Sequence, residues 1–370
     1  MTQNTVLVIL LLVWMFAFPS LSQAQPTRDG SVFDQGRDMT EKSPRAPEAL
    51  DKMKDLLGQW DVALTTYPTD STSYSASGLA EVTYMNRGYA YMNRIHIPAY
   101  DEAGNEASVM QFLNYDPNNA TWVLGEASSY TESVSMYNGD FKGKKLVLST
   151  GVRQNGSSLV NWHEIEFAFK SADKFSITTK TSTNQGKDWQ PRSKQVFTRR
   201  ADSPGFMMTQ EGYGEASPNR PKQTAQFDFL LGEWNASHNI LFNGQWIQFP
   251  TNATAVHVLN GHAILEHSWF DLDPSLPDAA TSIIRIYNRS MRRWESLFLN
   301  NRGNSQLFFG GQKEGDDIVL HNFESNTAAA SIPKYVFHDI ATDTYAWYAE
   351  SSSDRGKSFN KTWEITFARK

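Results

Sequence analysis

Few side chains in this 370-residue chain could do chemistry unaided. Cysteine is absent, which excludes thiol nucleophiles, disulfides and thiolate metal sites. Eight histidines remain as candidate bases or ligands. His163-Glu-Ile-Glu166 opens like a zinc-protease helix, but position 167 is Phe where the second His is required, and its alternation is that of a strand. Gly356-Lys-Ser358 resembles the end of a phosphate loop, but Ser351 stands where the first glycine belongs. Read as Ser352-x-Asp354-x-Gly356, the same stretch is a hairpin turn in which Asp caps backbone amides. Gly-x-Ser-x-Gly does not occur, so a hydrolase nucleophile elbow has no support. No metal site and no cofactor is expected from these motifs.

The more informative candidates are polar side chains spaced along strands. Residues two apart share a strand face. Trp234 therefore shares a face with His238, and Ala263, Leu265, His267 and Trp269 share another. In the first half the matching face is Ala90, Met92, Arg94 and His96. Polar groups among apolar neighbours inside a barrel need partners: each other, water or a ligand. The candidate ligand-binding residues are His238, His267 and Trp294 in the second half, and Arg94, His96 and His163 in the first.

Strands must carry these residues. After Trp60 the pattern has period two, as in Gly88–Ile97, Lys145–Ser149 and Glu164–Phe169, with turn residues between short apolar runs. Such spacing predicts an antiparallel meander that closes as a barrel or folds as a sandwich. The pattern is written twice. Asp55-Leu-Leu-Gly-Gln-Trp60 returns as Phe227-Asp-Phe-Leu-Leu-Gly-Glu-Trp234, and Tyr115 through Trp122 as Tyr287 through Trp294. Val196-Phe-Thr-Arg-Arg200 returns as Ile365-Thr-Phe-Ala-Arg-Lys370. A repeat at this period means a duplicated domain. The expected organisation is a signal peptide at 1–24, a disordered lead-in at 25–45, a first domain at 46–200, a Pro/Gly-rich linker at 201–226 and a second domain at 227–370. Pro47 to Gly58 reads as a short helix with Leu50, Met53 and Leu57 on one face.

On these motifs both halves resemble a mostly bacterial family of secreted lipocalin-like, or calycin-type, domains of unassigned activity. Its members open with Phe-Asp-Phe-Leu-Leu-Gly-x-Trp and carry an Asp-x-Gly-Lys hairpin near the end. Residues 227–370 match through Phe227–Trp234, Tyr287–Trp294, Asp354-x-Gly-Lys357 and Phe367-Ala-Arg369; residues 55–200 match more loosely. The resemblance implies an all-β fold of two tandem antiparallel lipocalin-like barrels. It also implies that Arg199 packs over Trp60, and Arg369 over Trp234, to close one end of each barrel.

Composition narrows the partners. Net charge is −6 and the pI about 5.8, so no basic surplus exists to neutralise phosphates and nucleic acid is not an expected partner. Val6 to Phe18 is an apolar run ended by Pro19, and Ser22-Gln-Ala24 supplies small residues for cleavage. The expected location is thus secreted or periplasmic, with no membrane span after cleavage. Asn-x-Ser/Thr sites at Asn119, Asn155, Asn235, Asn252, Asn288 and Asn360 matter only in a eukaryotic secretory pathway. Three functions fit: a carrier of a small, largely apolar molecule; a lipocalin-like isomerase, cyclase or hydratase acting on a hydrophobic substrate; and an envelope or interaction protein with filled barrels. The sequence leaves ligand, reaction and oligomeric state open.

Overall fold

In the computed structural model, residues 42–69, 72–150, 162–200, 217–270, 279–301, 306–321, 332–354 and 356–370 are described. The segment read as a signal peptide, and most of those read as lead-in and linker, lie outside them. The chain divides into two compact units, one spanning Asp38–Glu215 and the other containing Ala216–Lys370.

The first unit is a closed barrel of ten antiparallel strands. These are β1 Gly58–Thr69, β2 Thr72–Met85, β3 Ala90–Ile97, β4 Ala107–Asp116, β5 Thr121–Ser128, β6 Ser133–Lys142, β7 Lys145–Ser149, β8 Trp162–Ser171, β9 Lys174–Ser182 and β10 Gln190–Arg199. Each pairs with its neighbour in sequence, and β1 closes on β10. The second unit repeats this with β11 Gly232–Phe242, β12 Gln245–Val258, β13 Ala263–Phe270, β14 Ala279–Asn288, β15 Arg293–Asn300, β16 Gln306–Glu314, β17 Asp317–His321, β18 Ile332–His338, β19 Thr344–Ser352 and β20 Asn360–Arg369. Closure removes the edges that an open sheet would expose to other chains.

One end of each barrel is plugged by a short 3-10 helix. Glu48–Leu56 buries Leu50, Met53 and Leu56, and the Tyr91 hydroxyl donates to the Leu50 carbonyl at 2.8 Å. Lys222–Leu230 buries Thr224, Phe227 and Leu230. Below each plug the closing tryptophan is held twice. Trp60 Nε1 donates to the Leu56 carbonyl at 2.9 Å, and Trp234 Nε1 to the Leu230 carbonyl at 2.7 Å. Arg199 lies 4.2 Å over the Trp60 ring and Arg369 lies 4.2 Å over Trp234. Each guanidinium also donates at 2.8 Å to a carbonyl ending the helix, that of Leu57 or Leu231. The glycine two residues before each Trp makes room: Gly58 has φ 120° and Gly232 φ 104°, and a Cβ on either would stand 2.7 Å from the arginine Nη1. The Gly-x-Trp spacing is therefore dictated by the arginine as much as by the turn.

Two stretches are more ordered than their composition suggests. Ser43, read as part of the disordered lead-in, is buried and its amide bonds the Arg87 carbonyl at 2.8 Å. Residues 217–226, read as linker, belong to the second barrel: the Ser217 amide bonds the Asn260 carbonyl at 2.8 Å, and Gln226 accepts a hydrogen bond from Trp294 Nε1 at 2.9 Å. Both segments are polar but short, and they dock through backbone amides and single side chains. Hydrophobic periodicity cannot register that kind of docking. The Asp354 turn is tied by the Lys357 amide at 3.0 Å, the Ser358 amide at 2.9 Å and the Ser352 hydroxyl at 2.7 Å, with Gly356 at φ 84°. The Ser358 hydroxyl, which donates to the other carboxylate oxygen at 2.7 Å, and then these donors depress the Asp354 pKa to about 2, as expected for a carboxylate that caps a turn.

Candidate functional site

Register decides which residues look into each barrel, because directly opposed residues in an antiparallel pair lie on the same face. Trp60 opposes Ala80, Ala80 opposes Ile95, and Ile95 opposes Val109. The lumen face of β3 is therefore Tyr91, Asn93 and Ile95, while Arg94 and His96 lie on the outer face. Arg94 ion-pairs there with Glu81, and His96 Nδ1 sits 3.0 Å from the Ser108 hydroxyl. The same test in the second unit places Ala253 against Ser268 and Ser268 against Thr281. The lumen face of β13 carries Ile264, Glu266 and Ser268, while His267 lies outside and bonds the Ser282 hydroxyl through Nδ1 at 2.7 Å. The placing of Arg94, His96 and His267 inside the barrels is thus corrected. The cause is physical: β3 is buried along nearly its whole length on both faces, so alternation alone does not say which side is the lumen.

Trp294 faces inward, but at the plugged end, fully buried and edge-on to Phe227 at 4.6 Å. It is part of the core. His163 shares the lumen-facing parity of Ile165 and Phe167 but stands exposed at the open rim of β8. His238 faces the lumen and is 3% exposed. Its Nδ1 accepts from the Trp363 indole N–H at 3.1 Å, so the neutral ring carries its proton on Nε2, which bonds the Thr251 hydroxyl at 2.7 Å. Burial drives its pKa down to about 3. A neutral imidazole with both nitrogens engaged and Phe249 stacked 4.7 Å away is held in place to orient Trp363.

The inward residues toward the open ends form two different chambers. In the second barrel the wall is aromatic. Tyr335 stacks on Trp347 at 5.3 Å, Trp347 meets Trp363 edge-on at 5.4 Å, and Trp363 meets His238 at 5.5 Å. Tyr335, Trp347 and Trp363 all keep accessible surface although they point into the barrel. Burial also raises the Tyr335 pKa. Deeper down, Glu266 and Arg285 form an ion pair at 2.8 Å, with Arg285 5.2 Å from the Phe337 ring centre.

In the first barrel the wall is polar. Asn93, Gln111 and Glu126 oppose one another across β3, β4 and β5. Asn93 Nδ2 donates to Gln111 Oε1 at 2.9 Å, and Gln111 Nε2 donates to Glu126 Oε2 at 2.7 Å. Asn93 Oδ1 is buried without a partner, and so is Oε1 of Gln195, which also faces the lumen on β10. Burial raises the Glu126 pKa, and the Gln111 hydrogen bond offsets only part of it. The Glu126 charge in turn contributes to the Tyr100 pKa, which burial pushes up to about 12. Tyr100 comes from the β3–β4 loop at the open end and packs against Tyr130 at 4.5 Å. Sequence reading missed this chain, because asparagine, glutamine and glutamate scattered over three strands form no local motif. The one available signal was the two-residue alternation extended across strands, which requires the register.

No family model matches the chain, and no curated relative matches it in sequence. It is similar to solved structures at low identity. Rv2717c from M. tuberculosis is 12% identical, covering 42% of this chain and 99% of that one with a TM-score of 0.30. A DUF3598-family protein of unknown function from Nostoc punctiforme is 11% identical, covering 88% and 100% with a TM-score of 0.24. Transferrin-binding protein B from Haemophilus parasuis is 7% identical, covering 84% and 76% with a TM-score of 0.18. The class is defined by the barrels themselves. Two tandem ten-stranded antiparallel barrels, each a sequential meander, fit a duplicated lipocalin-like fold.

Proposed function

We propose that the chain is a secreted or periplasmic carrier that holds a small, largely apolar molecule in a barrel lumen, and that it belongs to the family of duplicated domains opening with Phe-Asp-Phe-Leu-Leu-Gly-x-Trp. The observation that carries the carrier reading is the aromatic chamber of the second barrel. Tyr335, Trp347 and Trp363 lie on the inward face and keep accessible surface even though their rings pack in a row, which leaves aromatic surface for a further partner. A pocket of apolar walls with few polar groups is the usual form of a small-molecule site. His238 supports it by fixing the Trp363 indole through a hydrogen bond, so the wall is preorganised and little ordering entropy is lost on binding.

The test is titration of the full chain with the neutral apolar fluorophore N-phenyl-1-naphthylamine. Saturable binding is expected. Trp363→Ala and Trp347→Ala should each weaken it about tenfold, the scale of one lost aromatic contact plus the area it covers. A probe that does not saturate, or whose affinity ignores both variants, would remove the second chamber as the site.

A further inference from the structure

We infer that the first barrel is a separate binding site, selective for a protonated amine carried on an apolar body. This deepens the carrier reading and rests on it. Three acceptors face one lumen: the Glu126 carboxyl, Asn93 Oδ1 and Gln195 Oε1. The last two are buried and unpartnered, and Asn93 and Gln195 are 6% and 8% exposed. Buried acceptors without donors cost free energy, so an occupant that brings donors is favoured over one that does not.

Charge sharpens the choice. Among the described residues Glu126 takes one hydrogen bond, from Gln111, and no cation is among the causes of its pKa shift. The arginine of this part of the wall, Arg94, is on the outer face and committed to Glu81. Glu126 is only partly accessible; a carboxyl largely withdrawn from water without a counter-charge is destabilised as the anion, and a ligand ammonium supplies the missing charge where the local dielectric is low. An ammonium also has three donors to distribute over Glu126 and the neighbouring carbonyl oxygens. A carboxylate ligand would be repelled by the Glu126 anion and would leave the two unpartnered oxygens without donors. Above the polar rung, Tyr100 at the mouth and Val109 on the wall are only partly buried and offer apolar surface to the rest of the molecule. The corresponding rung of the second barrel holds Glu266, Ile283 and Phe298, with Glu266 already paired to Arg285. The preference is therefore confined to the first barrel.

The experiment compares 2-(1-naphthyl)ethylamine with its neutral isostere 2-(1-naphthyl)ethanol by calorimetry on the full chain at pH 7.5. The amine should bind at least about tenfold more tightly, the scale of a desolvated charge-assisted hydrogen bond. Glu126→Gln, which keeps the shape and the acceptor for Gln111, should bring the amine down to the affinity of the alcohol and leave the alcohol unchanged. Equal affinities in the wild type overturn the inference without any variant, and so does a preference that survives in Glu126→Gln. N-phenyl-1-naphthylamine is measured in parallel. If it binds while the amine shows no preference, only the amine site is lost; if neither probe binds, the carrier reading falls with it.

Discussion

The two barrels agree at one end and disagree at the other. Counted from the closing tryptophans, the rungs at the plugged end match: Trp60 and Trp234, Trp122 and Trp294, Phe167 and Phe337, Phe197 and Phe367, Arg199 and Arg369. Toward the mouth the same count pairs Leu64 with His238, Gln111 with Ile283, Glu126 with Phe298, Ile165 with Tyr335, Ser193 with Trp363 and Gln195 with Ile365. Polar residues of one lumen stand where aromatic or aliphatic residues stand in the other. The plugged end is constrained by packing, since every atom there has close neighbours and few substitutions fit. In the mouthward half Glu126, Phe298, Tyr335 and Trp363 keep accessible surface, so that half can diverge without unfolding the barrel. Under the proposed carrier reading, that half is where specificity would reside.

If the plugged ends are equivalent, breaking them should cost the same. Trp60→Ala and Trp234→Ala are each expected to destabilise their barrel by about 3–5 kcal/mol, the usual range for emptying a buried Trp site. Thermal melts and urea titrations of the full chain check this, and a large asymmetry would show that one closed end does more than close. The next effect should appear in one barrel only. His238 has a folded pKa of about 3 against an ordinary 6.5. Between those values the unfolded chain binds the proton and the folded barrel does not, so stability is full above pH 6.5 and lost as pH falls. The loss attributable to this group is about 3 kcal/mol at pH 4. His238→Leu installs the residue of the equivalent position in the first barrel. It should flatten that pH dependence while lowering stability at pH 7, because Trp363 and Thr251 lose their partner. A melt of His238→Leu that still drops between pH 6.5 and 4 as steeply as wild type would assign the acid sensitivity elsewhere.

Legibility followed the same division. The duplication and the all-β class could be read from the chain because short phrases and strand alternation recur at a fixed interval, and the Trp–Arg pairs followed from the family resemblance those phrases carry. Trp60 with Arg199 and Trp234 with Arg369 lie at strand ends, where the phrase itself sets the position. The lumen contents were not legible. Arg94 stands one step from Asn93, His96 one step from Ile95 and His267 one step from Glu266, and a single step exchanges the lumen for the outer wall. Both faces of β3 and β13 are apolar enough to be core, so only the cross-strand register separates them. Glu126, Gln111 and Asn93 become one group only when three strands are laid side by side.

The smallest expected effect is also the one that isolates the first chamber. Glu126 has a raised pKa because its anion is buried. The folded barrel therefore holds a proton that the unfolded chain has already released, and stability contributed by this group is full below the ordinary glutamate pKa and declines as pH rises through the raised one. The facing groups among the described residues are Asn93 and Gln111, which do not titrate, and Tyr100, which does so far higher. The carboxyl can therefore be followed alone. Glu126→Gln should melt a few degrees above wild type at pH 8, with the gap closing as pH falls below that of an ordinary glutamate. Adding the naphthyl amine should close the gap from the other side, by stabilising the wild-type anion and leaving the variant unmoved. A wild type that the amine fails to stabilise at pH 8 would mean that Glu126 is an accommodated core residue like the Glu266–Arg285 pair. The two lumens would then differ in composition without differing in use.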